Sequence, residues 1–153
     1  MQKLIFLDID GPMIPSGMSL IHPHASWKRM LSPICVAVLK EMLKKSDAYL
    51  VTNSTHNVDL NGEPSIRDVL ISYGIPDEAF HRNWKTDYPD VSRDVAVKKW
   101  LAENGEYDWI ALDDARFMED TRVVYVDFDT GLTPAHYNEV AEMWGLPEII
   151  ILG

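Results

Sequence analysis

Short apolar runs alternate along this chain with stretches whose apolar residues recur at helical spacing. Lys3-Leu-Ile-Phe-Leu7, Ala48-Tyr-Leu-Val51, Tyr107 to Leu112 and Val123 to Val126 are the runs. Their length and the turn residues that close them read as buried strands. Ser32-Pro33 opens a first helix with Val36, Leu39, Met42 and Leu43 as its stripe and Lys44 and Lys45 at its end, a cap followed by proline and then basic residues near the C-terminus. Pro64 begins a second, with Ile66, Val69, Leu70 and Tyr73 on one face and Gly74 as its stop. Ser92 caps a third, whose face is Val97, Trp100 and Leu101 and whose stop is Asn104-Gly105. Thr133-Pro134 starts the last, which turns Tyr137, Val140, Ala141 and Trp144 inward and closes at Gly145. Between Ile75 and Val91 the pattern is irregular, with a short strand predicted from Ala79 to Trp84. Glu148 to Leu152 reads as an edge strand or a tail. Strand and helix in alternation predict an α/β fold on a parallel sheet.

The chain of 153 residues is predicted to be one domain, 1–153, with 12–32 as a short flap or loop after the first strand. That stretch holds Pro12, Pro15, Gly17 and Pro23, and it is too short for a separate cap domain, although Met13, Ile14, Met18 and Ile21 could cover something. No apolar run approaches the 18 or so residues of a membrane span. The first strand starts almost at residue 1 with no leader-like segment before it, so a cytoplasmic protein is the expectation. The single Cys35 excludes an internal disulfide, and its place in an amphipathic pattern makes it a core thiol. A formal net charge of −10 argues against broad electrostatic binding to nucleic acid. A phosphorylated substrate stays open, because a bound cation and one or two placed basic residues reverse the field locally.

The chemistry collects where strands end. Asp8 and Asp10 close the first strand ahead of Gly11-Pro12, Thr52-Asn53 close the second, and Asp113-Asp114 close a later one. In a parallel sheet these ends share the edge at which open α/β folds bind ligands. Four carboxylates there make a hard oxygen site suited to Mg²⁺, and no paired histidine spacing near them points to zinc. His22 and His24 form a loop pair read as solvated.

These residues resemble the haloacid dehalogenase (HAD) superfamily of Mg²⁺-dependent phosphohydrolases. The strand followed by Asp-x-Asp-Gly is Leu4-Ile-Phe-Leu-Asp-Ile-Asp-Gly11, the strand ending in Thr is Tyr49-Leu-Val-Thr52, and the strand ending in paired acids is Trp109-Ile-Ala-Leu-Asp-Asp114. Ser92-Arg-Asp-Val-Ala-Val-Lys-Lys-Trp-Leu101 and Thr130-Gly-Leu-Thr133 look like segments of the small capless HAD domains of the Swiss-army-knife RNA repair group. The resemblance implies a three-layer Rossmann-like parallel sheet with helices on both faces and no large cap. It implies Asp8 as nucleophile, Asp10 as general acid and base, Thr52, Asn53 and Gly11 against the phosphate, and Arg93 as the balancing cation, with Lys85, Lys98 and Lys99 as its rivals. Mg²⁺ would be held by Asp8, the Asp10 backbone carbonyl and Asp113 or Asp114.

The activity so implied is a phosphomonoesterase with an aspartyl-phosphate intermediate. Pro12 follows Gly11 where the pattern often has Thr or Val. Thr52-Asn-Ser-Thr55 replaces the Ser-Ser-Trp-Arg type common in the narrower group, removing a basic and an aromatic residue. Nucleic acid is therefore expected as a substrate only through a phosphorylated end, and substrate identity and oligomeric state stay open, with Ile149 to Leu152 a candidate pairing edge. Two rivals stand beside this reading. One is a receiver-like module that accepts a phosphoryl group, which would need an Asp on the middle strand where Thr52 stands. The other is a HAD fold kept only for binding.

Overall fold

The computed structural model describes residues 1–23, 26–118 and 120–149. Five parallel strands form one sheet: β1 (Lys3–Leu7), β2 (Tyr49–Thr52), β3 (Phe80–Lys85), β4 (Asp108–Asp113) and β5 (Val123–Tyr125). Their order is β3-β2-β1-β4-β5, so the first strand is central and every neighbour is parallel. Among the described residues five α-helices accompany them, besides short 3-10 turns: α1 (Met18–Ile21), α2 (Pro33–Ser46), α3 (Ile66–Ser72), α4 (Arg93–Asn104) and α5 (Pro134–Trp144). This is the three-layer Rossmann-like α/β architecture predicted from the sequence, with the layers of unequal weight.

Alternation along β1 sorts the two cores. Ile5, Leu7 and Ile9 face a large cluster with the apolar sides of α2, α3 and α5, including Leu39, Met42, Leu70, Tyr137 and Val140. Leu4 and Phe6 point the other way, with Val51, Trp109 and Ala111, onto Val97 and Trp100 of α4. Residues two apart share a face, which decides below which strand-end side chains meet. Phe6 packs edge-on against both Trp100 and Trp109, at 5.5 and 5.7 Å between ring centres.

The helix boundaries follow local chemistry. Ser32 Oγ accepts the Cys35 N–H at the start of α2, with Pro33 in the first helical position. The second predicted helix is shorter than its pattern: α3 begins after Ser65, whose hydroxyl accepts from the Asp68 N–H while the Asp68 carboxylate accepts from the Ser65 N–H. That reciprocal cap, not Pro64, sets the start. The irregular stretch after Ile75 contains a full strand, β3, at the sheet edge. Cys35 is buried, and its burial raises the thiol pKa, as suits a core thiol.

The flap is folded onto the domain. Met13, Ile14 and Met18 are buried, while Leu20 and Ile21 are exposed, so Ile21 covers nothing. The Ser32 N–H donates to the Met13 carbonyl and the Leu132 N–H to the Pro12 carbonyl, tying both ends of the stretch down. His24 lies outside the described residues, as do Ile150 to Leu152 of the predicted pairing edge. Residues 146–149 form no strand. No helix among the described residues is long and apolar enough to cross a membrane.

Candidate active site

The parallel register carries the site. Leu7 lies opposite Thr52 on one side and Leu112 on the other. One residue further on, Asn53, Asp8 and Asp113 therefore stand abreast across three strands. The ladder runs on past the strand ends to fix them: the Asp8 N–H donates to the Leu112 carbonyl at 3.0 Å, the Asn53 N–H to the Leu7 carbonyl at 2.8 Å and the Val126 N–H to the Asp113 carbonyl at 2.8 Å. All three side chains continue the face of Phe6, Val51 and Ala111, beneath the start of α4.

Asp8, Asp113 and Asp114 bring one carboxylate oxygen each within 4.8 Å of the others. Asp8 is 3% exposed and Asp113 1%. Burial, and then the charge of Asp113, push the Asp8 carboxyl up to about 9. Burial also raises Asp113, to about 6, against the pull of Arg93. Asp8 Oδ2 has no hydrogen-bond partner. A set of hard, buried, mutually repelling oxygens with one left unsatisfied fits a divalent cation such as Mg²⁺.

Arg93 reaches into the cluster from the first residue of α4. Its Nη1 donates to Asp113 Oδ2 at 2.8 Å and lies 3.5 Å from Asp8 Oδ2. A cation in the first turn of a helix opposes the helix dipole, so its place there is offset by the two acids rather than by the helix. Its guanidinium also lies over the Tyr88 ring, 4.6 Å from the centroid. The rival lysines are engaged elsewhere. Lys85 bonds the Asn57 carbonyl and Asp59, Lys99 pairs with Asp87 and Glu103, and Lys98 is exposed on α4.

Asn53 is 1% exposed; its Oδ1 accepts from the Thr86 hydroxyl at 2.6 Å, and its Nδ2 has no partner. A buried orphan amide donor abreast of Asp8 is placed for an anionic oxygen. Thr52 shares the opposite face with Leu50, and its hydroxyl donates to Asn57 Oδ1 at 2.7 Å, with the Trp84 carbonyl at 3.3 Å. The register thus directs Asn53, and not Thr52, toward the acids. The Gly11 N–H is bonded to the Ile14 carbonyl within the turn. What glycine supplies there is conformation, with φ at +96°, and room, because a Cβ would meet the Asp114 side chain at 2.8 Å.

Asp10 stands apart from the buried cluster, its side chain half exposed. Both of its oxygens contact His56 Nε2, at 3.2 and 3.1 Å, and this hydrogen bond lowers its pKa. His56 escapes sequence reasoning because residues 56–63 carry no periodicity and read as a polar loop. The signal available is its place four residues past Thr52, in a loop that returns to the same sheet edge.

A parallel α/β domain with an acid cluster, a cation and an orphan amide at the carboxyl edge of its central strand is of the HAD type. The chain belongs to the family described as the HAD domain in Swiss Army Knife RNA repair proteins, whose model matches residues 4–137. No curated protein and no solved structure matches it.

Proposed function

We propose that this protein is a Mg²⁺-dependent phosphomonoesterase working through an aspartyl-phosphate. The observation that carries the reading is the buried Asp8, with an unsatisfied oxygen, set between the orphan amide of Asn53 and the Arg93–Asp113 pair. Asp8, Asp113, Asp114 and the Asp10 backbone carbonyl would hold Mg²⁺, which when bound keeps Asp8 ionised and neutralises phosphoryl charge.

An Asp8 oxygen attacks phosphorus and the ester P–O bond breaks, the leaving oxygen taking its proton from Asp10. Water then attacks the acyl phosphate, gives its proton to Asp10, and releases inorganic phosphate and the Asp8 carboxylate. Arg93 and the Asn53 amide bind the phosphoryl oxygens in both steps. The substrate is a phosphate monoester. The net charge of −10 disfavours long contacts with nucleic acid, so a nucleic-acid substrate would present only a phosphorylated end.

Hydrolysis of p-nitrophenyl phosphate by wild type and Asp8→Asn, with Mg²⁺ and with EDTA, tests the reading. Turnover that needs the metal and disappears in Asp8→Asn is the expected result. Full activity in EDTA or in Asp8→Asn would overturn it. A wild type that binds phosphate esters without turnover would favour the binding-only HAD fold.

A further inference from the structure

Asp10 is bridged through its backbone to Ile14, its side chain is 51% exposed, and it lies outside the three-acid cluster. A carboxyl so placed would sample several rotamers, of which few meet a leaving oxygen. Its side-chain partner among the described residues, His56, is by contrast tightly built in. The His56 ring stacks on Trp27 of the flap, 4.1 Å between centres and 19° from parallel. Its backbone N–H donates to Ser54 Oγ at 3.1 Å. The following residue, buried Asn57, donates to the carbonyls of Thr52 and Thr86 and so locks the turn to the ends of β2 and β3.

We infer that His56, braced by Trp27, is a positioning residue that holds the Asp10 carboxyl at the leaving-group side of the site. The inference rests on the phosphatase reading above and adds to it a residue outside the HAD motifs. An imidazole suits the task because Nε2–H donates both to a carboxylate and to the carbonyl oxygen of a carboxylic acid. The contact therefore persists in both protonation states that Asp10 passes through. The flap contributes directly: Trp27 sits in the segment after β1, so the seating of the flap and the aim of the acid are one arrangement.

An acid held in place matters most for a poor leaving group. Nitrophenolate departs without help, whereas phenolate, with a conjugate acid near 10 like that of tyrosine, gains from a proton. The experiment measures kcat/KM for p-nitrophenyl phosphate and phenyl phosphate with wild type, His56→Ala, His56→Gln and Trp27→Ala, all in Mg²⁺ and all checked for native circular dichroism. Loss in His56→Ala of about 10- to 100-fold on phenyl phosphate, with under about 3-fold on the nitrophenyl ester, is expected from the usual size of acid catalysis. His56→Gln, which keeps a donor, should recover part of the loss, and Trp27→Ala should show the same selectivity more weakly. Equal losses on both esters would mark His56 as merely structural, and no loss on either would remove it from the mechanism. A wild type inert toward both esters would sink the phosphatase reading and this inference with it, an outcome distinct from either of those.

Discussion

Removing the charge of Asp8 should make the metal-free protein more stable. Asp8 is 3% exposed and its carboxyl is raised from an ordinary value near 3.8 to about 9 by burial and by Asp113. A folded-state pKa raised above the unfolded one means that the native protein holds the proton more tightly. The associated stability is complete below about pH 4 and is lost as pH rises toward 9. At pH 7 the gap from 3.8, at about 1.4 kcal/mol per pH unit, sets a ceiling of about 4 kcal/mol. Because Asp8 and Asp113 repel each other and do not titrate independently, the effect is reduced to about 1–3 kcal/mol. For a chain of this length that is roughly 2–10 °C in Tm. Thermal unfolding of wild type and Asp8→Asn in EDTA, from pH 5 to 8.5, is the assay. Asp8→Asn should melt higher, by a margin that widens with pH, and Mg²⁺ should raise the wild-type Tm more than that of the variant. An Asp8→Asn protein that melts at or below wild type at pH 8 in EDTA would mean that burial of the Asp8 carboxyl carries no such cost.

Arg93→Ala should lower kcat/KM on an aryl phosphate by about 100- to 1000-fold, with Arg93→Lys intermediate, because a point charge replaces a planar fork. Near-normal turnover would move the balancing charge to a lysine. Asn53→Ala should weaken inorganic phosphate inhibition and cut turnover about 10-fold or more, while Thr52→Val should act mainly on stability through its bond to Asn57; parallel losses in activity would contradict the register argument. Gly11→Ala should destabilise the fold by about 1–3 kcal/mol in urea unfolding, since both its φ of +96° and the 2.8 Å approach to Asp114 oppose a methyl group. Burial holds His81 and His136 below the ordinary 6.5. At these two sites the unfolded chain therefore binds more protons below that pH, and from pH 7 to 5.5 the urea midpoint of Asp8→Asn should fall relative to that of Asp8→Asn/His81→Gln/His136→Gln, the raised Asp113 carboxyl being common to both; parallel profiles would argue against buried neutral imidazoles.

Strand-end acids were legible because they sit on apolar runs, where a period of two and a closing turn are strong signals. Asp8, Asp113 and Asp114 emerge from the sequence for that reason, and the structure sets them together. Arg93 was legible only through resemblance, since nothing in a helix's first turn distinguishes a functional cation from a solvated one. The contrast between Thr52 and Asn53 was not legible, because it depends on register: β2 pairs Thr52 with Leu7, and one residue decides which face a side chain takes. β3 was hard to read for a related reason. It is an edge strand with exposed Arg82 and Asn83 and half-buried Trp84 and Lys85, so its pattern lacks a continuous apolar run. His56 and Trp27 come from two irregular segments that meet only in the folded chain, and no local spacing announces such a contact.

The phosphatase assignment requires Asp8 to carry the phosphoryl group. Wild type turning over p-nitrophenyl phosphate in Mg²⁺, quenched in acid and digested, should yield a base-labile phosphoryl adduct on the peptide that contains Asp8, absent from Asp8→Asn. Steady turnover with the adduct on another residue, or with Asp8→Asn still active, would rule out an Asp8 phosphoryl intermediate.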